Sequence, residues 1–318
     1  MDKLKIRDIG GEFKLIDRET RRFTDDNVVV GVGDDCAVLK GRGAKYLLLT
    51  TDMLVEEDHF SLRWHTPYQV GMKAVEVNVS DIAAMGGLPK YMLISLCLTP
   101  QTTVEFVDEL YKGMNWVCKK YGVRIIGGDT THGEKVVINI TMTGEVEKSR
   151  LSLRSDAKAG DLVCVTGDLG KSTAGLELLK AGKKGYTLAH LEPKARLDEA
   201  REISKYCNAM IDVSDGLAPD LGHICDESKV GVEVYKEKIP VSEKTVEAAS
   251  QLGADPVEYA LRGGEDFELV FTIPEEDLKK IKAKLPITVI GRITSKKEKL
   301  LILDKRIIPL GGGYDHFK

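Results

Sequence analysis

The chain has 318 residues, 42% of them hydrophobic and 30% charged, with 46 basic against 50 acidic residues and a formal net charge of −4. That balance is that of a soluble globular protein of about two domains, and it excludes the broad basic footprint on which nucleic-acid binding rests, while leaving room for a small anionic substrate. No apolar run approaches the ~18 residues that cross a bilayer, the first seven residues lack the apolar core of a signal peptide, and six scattered cysteines without a C-x-x-C pair fit reduced thiols, so a cytoplasmic protein with no membrane or nucleic-acid partner is expected.

Apolar runs alternate with amphipathic stretches along the whole chain. Tyr46 to Thr50 reads as a buried strand, and Pro67 opens a helix that runs to Met85 and stops at Gly86-Gly87. Strand Tyr91–Leu98, helix Thr103–Lys120 with Gly122 at its end, and strands Val123–Ile126 and Val136–Val146 follow. The charged segment Glu147-Lys148-Ser149-Arg150 has no apolar period, which places a boundary between domains 1–148 and 149–318. The second half reads as strand Leu162–Thr166, helices Ser172–Lys180 and Pro193–Tyr206, strand Ala209–Val213, a helix from Leu217 and strand Val232–Tyr235. Helix Ser242–Leu252, strand Phe267–Ile273, a helix from Glu275 and strands Thr288–Ile293 and Leu300–Leu303 complete it. Such interleaving predicts α/β or α+β layers in both halves.

The acidic residues fall at strand ends and glycine turns. They recur in Gly33-Asp34-Asp35, Thr50-Thr51-Asp52, Gly127-Gly128-Asp129-Thr130-Thr131, Asp212-Val213-Ser214-Asp215-Gly216 and Gly263-Gly264-Glu265-Asp266. Any one of them reads equally as a turn former or helix cap. Asp81 differs, because it interrupts the apolar helix after Asn78-Val79-Ser80, where a carboxylate costs free energy unless it is paired, metal-bound or turned to solvent at the helix end. Several converging carboxylates would repel one another without cations, and hard oxygen ligands suit Mg²⁺ bridging to phosphate.

Familiar nucleotide motifs are absent. Gly167-Asp168-Leu169-Gly170-Lys171-Ser172 fails the P-loop spacing because Val165 stands where the leading glycine belongs, so it reads as a strand-to-helix turn. Gly31-Val32-Gly33 fails the dinucleotide fingerprint because Cys36 occupies the third glycine position. No G-x-S-x-G elbow or reactive-cysteine signature occurs. His223 and Cys225 alone are a weak metal pattern. His59, in acidic surroundings, and Arg154 read either as phosphate contacts or as ordinary structural and surface groups.

In this order the segments resemble the thiamine-monophosphate kinase family: Gly31–Val38 (GVGDDCAV), Thr50–Asp52 (TTD), Asn78–Gly86 (NVSDIAAMG), Gly127–Thr131 (GGDTT), Arg154–Asp161 (RSDAKAGD), Ile211–Leu217 (IDVSDGL), Gly263–Leu269 (GGEDFEL) and Gly313–Phe317 (GYDHF). The resemblance spans almost the whole chain. It implies a two-domain fold like that of aminoimidazole ribonucleotide synthetase, its N-terminal sheet pairing with a twin in a homodimer and ATP lying against that sheet. It further implies Mg²⁺-dependent transfer of the ATP γ-phosphoryl group to thiamine monophosphate, giving thiamine diphosphate and ADP.

By the same resemblance Asp35, Thr50, Thr51, Asp52, Asp81, Asp129, Asp212 and Asp215 would hold or surround several Mg²⁺ ions. Tyr111, Gly128, Asp129, Arg154 and Ser214 would contact ATP, and His59, Glu265 and Tyr314 would meet the thiamine phosphate. No residue is expected as covalent nucleophile or general base, since the acceptor phosphate is mostly a dianion at neutral pH. Two other readings compete with this one: a related ATP-dependent enzyme with a different substrate, and a silent nucleotide- or thiamine-phosphate-binding regulator. The chain lacks the terminal Cys of the hydrogenase-maturation relative and the early Cys–Lys of the selenophosphate enzyme, and its carboxylate set is complete, which favours the kinase.

Overall fold

The computed structural model describes residues 5–9, 11–20, 25–303 and 306–312. After helix α1 (Glu12–Thr20), the first half builds a six-stranded sheet. Its strands are β1 (Val28–Val30), β2 (Ala37–Lys40), β3 (Lys45–Val55), β4 (Leu88–Leu98), β5 (Arg124–His132) and β6 (Val137–Glu147), in the order β1-β2-β3-β6-β4-β5. The β4–β5 pair is parallel and the others antiparallel.

Helices α2 (Pro67–Ala84) and α3 (Val104–Tyr121) cover one face of this sheet. Thr66 starts α2 with a reciprocal capping box to Gln69, and Pro67 supplies the first helical φ. Every residue of α2 from Val70 to Ala84 but Asp81 is buried, Lys73, Glu76, Asn78 and Ser80 included, as befits a helix enclosed on all sides. Two glycines set its closeness to α3: a Cβ at Gly71 would strike the Leu110 carbonyl, and one at Gly113 the Tyr68 carbonyl. Along β6 and most of β4 burial alternates, so one face packs on α2 while the other is open.

The second half continues with β7 (Leu162–Thr166), α4 (Lys171–Lys180), α5 (Leu188–Leu191), α6 (Leu197–Ile203), β8 (Ala209–Asp212), α7 (Leu217–Ser228) and β9 (Gly231–Tyr235). It ends with α8 (Glu243–Leu252), α9 (Pro256–Arg262), β10 (Leu269–Ile273), α10 (Glu275–Lys282), β11 (Ile287–Thr294), β12 (Lys299–Leu303) and β13 (Arg306–Pro309). These strands form a seven-stranded sheet in the order β13-β12-β9-β11-β7-β10-β8. Cys164, Met210 and Phe271 on one of its faces join the core around α2, whereas Val163, Val165, Ile211 and Val270 on the other pack with α7 and α9. Helix α2 is therefore the central layer between the two sheets, and anything polar on it lies deep in the molecule.

The mixed layers agree with the expected fold class, with two corrections. Thr50-Thr51-Asp52 does not end a strand: β3 runs on to Val55, paired with β6 along its whole length. Likewise Gly127 to Thr131 lies inside β5, where the parallel ladder to Leu93–Cys97 supplies the backbone partners that a glycine-rich stretch usually finds in a turn.

Candidate active site

Four segments bring acids to one place. The loop before β2 carries Asp34 and Asp35, β3 presents Thr50 and Asp52 towards α2, α2 carries Asp81 one turn from its end, and β8 ends at Asp212. Carboxylate oxygens of Asp35, Asp81 and Asp212 all lie within 4.8 Å of one another. The Thr50 hydroxyl donates to Asp81 Oδ2 at 2.5 Å, and the Ser80 hydroxyl donates to Asp212 Oδ2 at 2.5 Å. Arg154 donates through Nη2 to Asp35 Oδ1 at 2.5 Å, and its backbone N–H donates to Asp34 Oδ2 at 3.0 Å.

This arrangement carries more negative charge than the chain compensates. Burial, then the neighbouring Asp35, pushes Asp212 up to about 8 and Asp34 up to about 7. Asp52 rises to about 6, again mainly through burial, although a hydrogen bond with Asp81 opposes the rise. Asp81 is driven well above the usual carboxylate range by burial and by Asp52, Asp212 and Asp35. Asp35 Oδ2 is buried with no hydrogen-bond partner. An unpartnered carboxylate oxygen beside two further acids requires a proton or a cation, and an all-oxygen donor set with a nearby hydroxyl fits Mg²⁺.

Beside the acids lies a cavity of about 760 Å³, lined from the first half by Asp52, His59, Trp64 and Asp81 and from the second by Ser214, Asp215 and Glu265 among others. The His59 ring is anchored where Nδ1 accepts the Val55 N–H at 3.1 Å. Glu265 adopts φ 66 and its N–H donates to the Ser214 carbonyl at 2.7 Å, an uncommon backbone conformation at the cavity wall. Gly264 permits this contact, since a Cβ there would meet the same carbonyl. Burial works to raise the Glu265 carboxyl, but Lys73 Nζ at 2.6 Å and His190 Nδ1 at 3.2 Å outweigh it and hold it ionised.

The structure thus gathers Asp35, Thr50, Asp52, Asp81 and Asp212, sets Arg154 against them, and puts His59, Ser214, Asp215 and Glu265 on the adjoining cavity. Other residues lie apart. Thr51 faces the opposite side of β3 and donates to the Ile140 carbonyl at 3.1 Å. Gly128 and Asp129 are exposed in β5 at the sheet edge, and Tyr111 is half-buried against the core on α3. Tyr314 and the motif around it lie outside the described residues. Arg154 is not an open phosphate fork here, because its guanidinium is engaged by Asp35.

Sequence reasoning notes Asp34 in its acidic turn without giving it a role, and it passes over Lys73, His190 and Asp220. Asp220 accepts the N–H groups of Asp215 and Gly216 at 3.1 and 3.0 Å and so fixes the Ser214-Asp215-Gly216 turn. Lys73 could have been found by the rule that singled out Asp81, a charge inside an apolar helix; His190, on the four-residue α5, has no local signal.

Two family models match the chain: AIR synthase related protein, N-terminal domain, over residues 33–146, and AIR synthase related protein, C-terminal domain, over residues 158–304. Thiamine-monophosphate kinase of Aquifex aeolicus is 41% identical over 99% of this chain and 100% of its own length. Its namesake in Bacillus subtilis is 38% identical over 96% and 99%. A solved structure of AaThiL complexed with AMPPCP and TMP is similar with a TM-score of 0.90 and 38% identity over the whole of both chains.

Proposed function

The chain belongs to the thiamine-monophosphate kinase family, and on that premise we propose how its own residues transfer the γ-phosphoryl group of ATP to thiamine monophosphate, giving thiamine diphosphate and ADP. The observation that carries the reading is the triad Asp35, Asp81 and Asp212 with its orphaned Asp35 Oδ2. These acids, with Thr50, Asp52 and Asp215 close by and Thr51 and Asp129 further off, are the candidate ligands of several Mg²⁺ ions. Mg²⁺, when bound, neutralises phosphate oxygens and holds two polyanions in line.

Ser214 contacts ATP from the second half, and Arg154 joins it where a cation takes over the Asp35 carboxylate that now holds its guanidinium; Tyr111, Gly128 and Asp129, set apart from the acids within one chain, are the further ATP contacts. His59 and Glu265 line the cavity for the thiamine phosphate, with Tyr314 as a third contact. The acceptor is itself a phosphate, mostly dianionic at neutral pH because its second pKa is about 6, so no general base has to remove a proton. Residues 1–148 serve as the ATP, Mg²⁺ and dimerisation domain, and residues 149–318 complete the site. The open sheet face displays Met53, Tyr91, Leu93 and Ile126. A second copy packed there would cover this apolar patch and bring Thr51 and the exposed β5 into the interface. No described helix is long and apolar enough to cross a membrane, in keeping with a cytoplasmic enzyme.

The test is an end-point assay with ATP and Mg²⁺, offering thiamine monophosphate and thiamine in parallel, with an EDTA control and chromatographic separation of products. Thiamine diphosphate formed only from the monophosphate, and lost in EDTA, is the expected result. Equal ADP release from thiamine would contradict it, because a hydroxyl acceptor, unlike the phosphate dianion, has a proton to lose.

A further inference from the structure

Lys73 is a buried cation beside the cavity, and the reaction described above does not use its charge. It stands mid-way along α2 with no exposed side-chain surface. Its Nζ lies 2.6 Å from Glu265 Oε1 and donates to the His59 carbonyl oxygen at 2.6 Å. One ammonium thus ties together a residue from the loop after β3 and a residue from the loop before β10, which line the same cavity from different halves of the chain. The other Glu265 oxygen is held by His190, whose Nδ1 also lies 3.2 Å from the Ser172 hydroxyl.

A lone carboxylate on this wall would repel the phosphate end of an incoming ester. Paired from beneath with an ammonium, Glu265 is close to neutral at a distance, yet it keeps lone pairs for the amine of the substrate's pyrimidine ring. We propose that Lys73 is a positioning residue for thiamine monophosphate, acting through Glu265 and the His59 backbone without touching the ligand. This rests on the assignment of the cavity to thiamine monophosphate.

The test compares wild type with Lys73→Met, Glu265→Gln and the double variant, measuring KM for each substrate, kcat and thermal stability. Lys73→Met is expected to raise KM for thiamine monophosphate by about 10–100-fold, the scale of a charge-assisted hydrogen bond, while KM for ATP stays within about twofold. The double variant is expected to be no worse than the poorer single one, since both act through one contact. Should Lys73→Met not fold, Glu265→Gln carries the test alone, and an unchanged KM for thiamine monophosphate overturns the proposal. Equal rises in both KM values, or lost stability with both KM values unchanged, also overturn it and leave the cavity assignment standing. A wild-type protein that turns over ATP but not with thiamine monophosphate overturns both.

Discussion

In the Gly263–Leu269 segment three acids fall within four residues, Asp266 and Glu268 buried and Glu265 partly so, and the chain supplies each with donors. Glu265 meets Lys73 and His190, and Asp266 accepts the N–H groups of Gly170 and Ser172 at 2.5 and 2.9 Å, capping α4. Glu268, fully buried, takes Thr166 Oγ1 at 2.7 Å, Arg196 Nη2 at 2.5 Å and the Lys171 ammonium. Burial would raise Glu268, yet Lys171 and Arg196 hold it below its ordinary value. Around Asp35, Asp52, Asp81 and Asp212 the burial is similar, but a single guanidinium, Arg154, touches the group among the described residues. Unequal compensation by cationic side chains separates Glu265 and Glu268, which are held ionised within the chain, from the acids that await a cation supplied from outside.

Substitutions on the two sides of that divide should err in opposite directions. Asp81→Asn is expected to lower kcat by about 10³-fold or more, because it removes a central metal ligand. Its melting temperature in EDTA should hold or rise, because an amide relieves the repulsion and can donate to a neighbouring carboxylate. Steady-state kinetics beside thermal unfolding would show this, and a destabilised but active variant would break the contrast. Glu268→Gln should do the reverse, costing about 3 kcal/mol in denaturant unfolding, because Lys171 and Arg196 lose their counter-charge, while the folded fraction keeps most of its kcat.

Metal titration sharpens the same point without mutating the fold. Saturating Mg²⁺, about 100-fold above its dissociation constant, should stabilise the wild type by about 2.7 kcal/mol in calorimetric unfolding. Asp35→Asn should lose most of that gain, and Glu268→Gln should keep it. A wild-type melting temperature indifferent to Mg²⁺ would show that the acids hold protons instead.

What could be read in the sequence follows from this physics. Asp81 was legible because a carboxylate in an apolar helix is an exception that must be explained, and the structure sets it against Thr50 and Asp52. Lys73 is the same kind of exception six residues after Pro67 in a helix buried from Val70 onward; its role depends on Glu265, nearly two hundred positions away, which no local pattern reveals. Gly127 to Thr131 reads as a turn because glycine and small polar residues usually make one. Only the neighbouring β4, from a distant part of the chain, holds it extended. Strands β1 and β2, short and lying either side of the Gly33-Asp34-Asp35 loop, were hidden for the same reason.

His65 gives the smallest effect, and it lies on the compensated side. Its ring is buried 5.4 Å from that of His190 and faces Lys73, His190 and Glu265, with Nδ1 near the Ser61 carbonyl at 3.3 Å and Nε2 without a partner. Burial, then Lys73 and His190, lowers it to about 3. In the unfolded chain it would take up a proton below about 6.5, so between those two pH values the unfolded state binds more protons and stability falls as the pH drops. The loss should reach about 2 kcal/mol between about pH 7 and about pH 5. Asp266, raised to about 7 mainly by burial, acts in the opposite sense over the same range, and His223, lowered to about 4 mainly by burial, in the same sense, so the absolute curve sums several groups. The difference between wild type and His65→Gln isolates the histidine. Unfolding followed in saturating Mg²⁺ should show the variant losing less stability on acidification, and parallel curves would mean that His65 takes up its proton alike in the folded and unfolded chain.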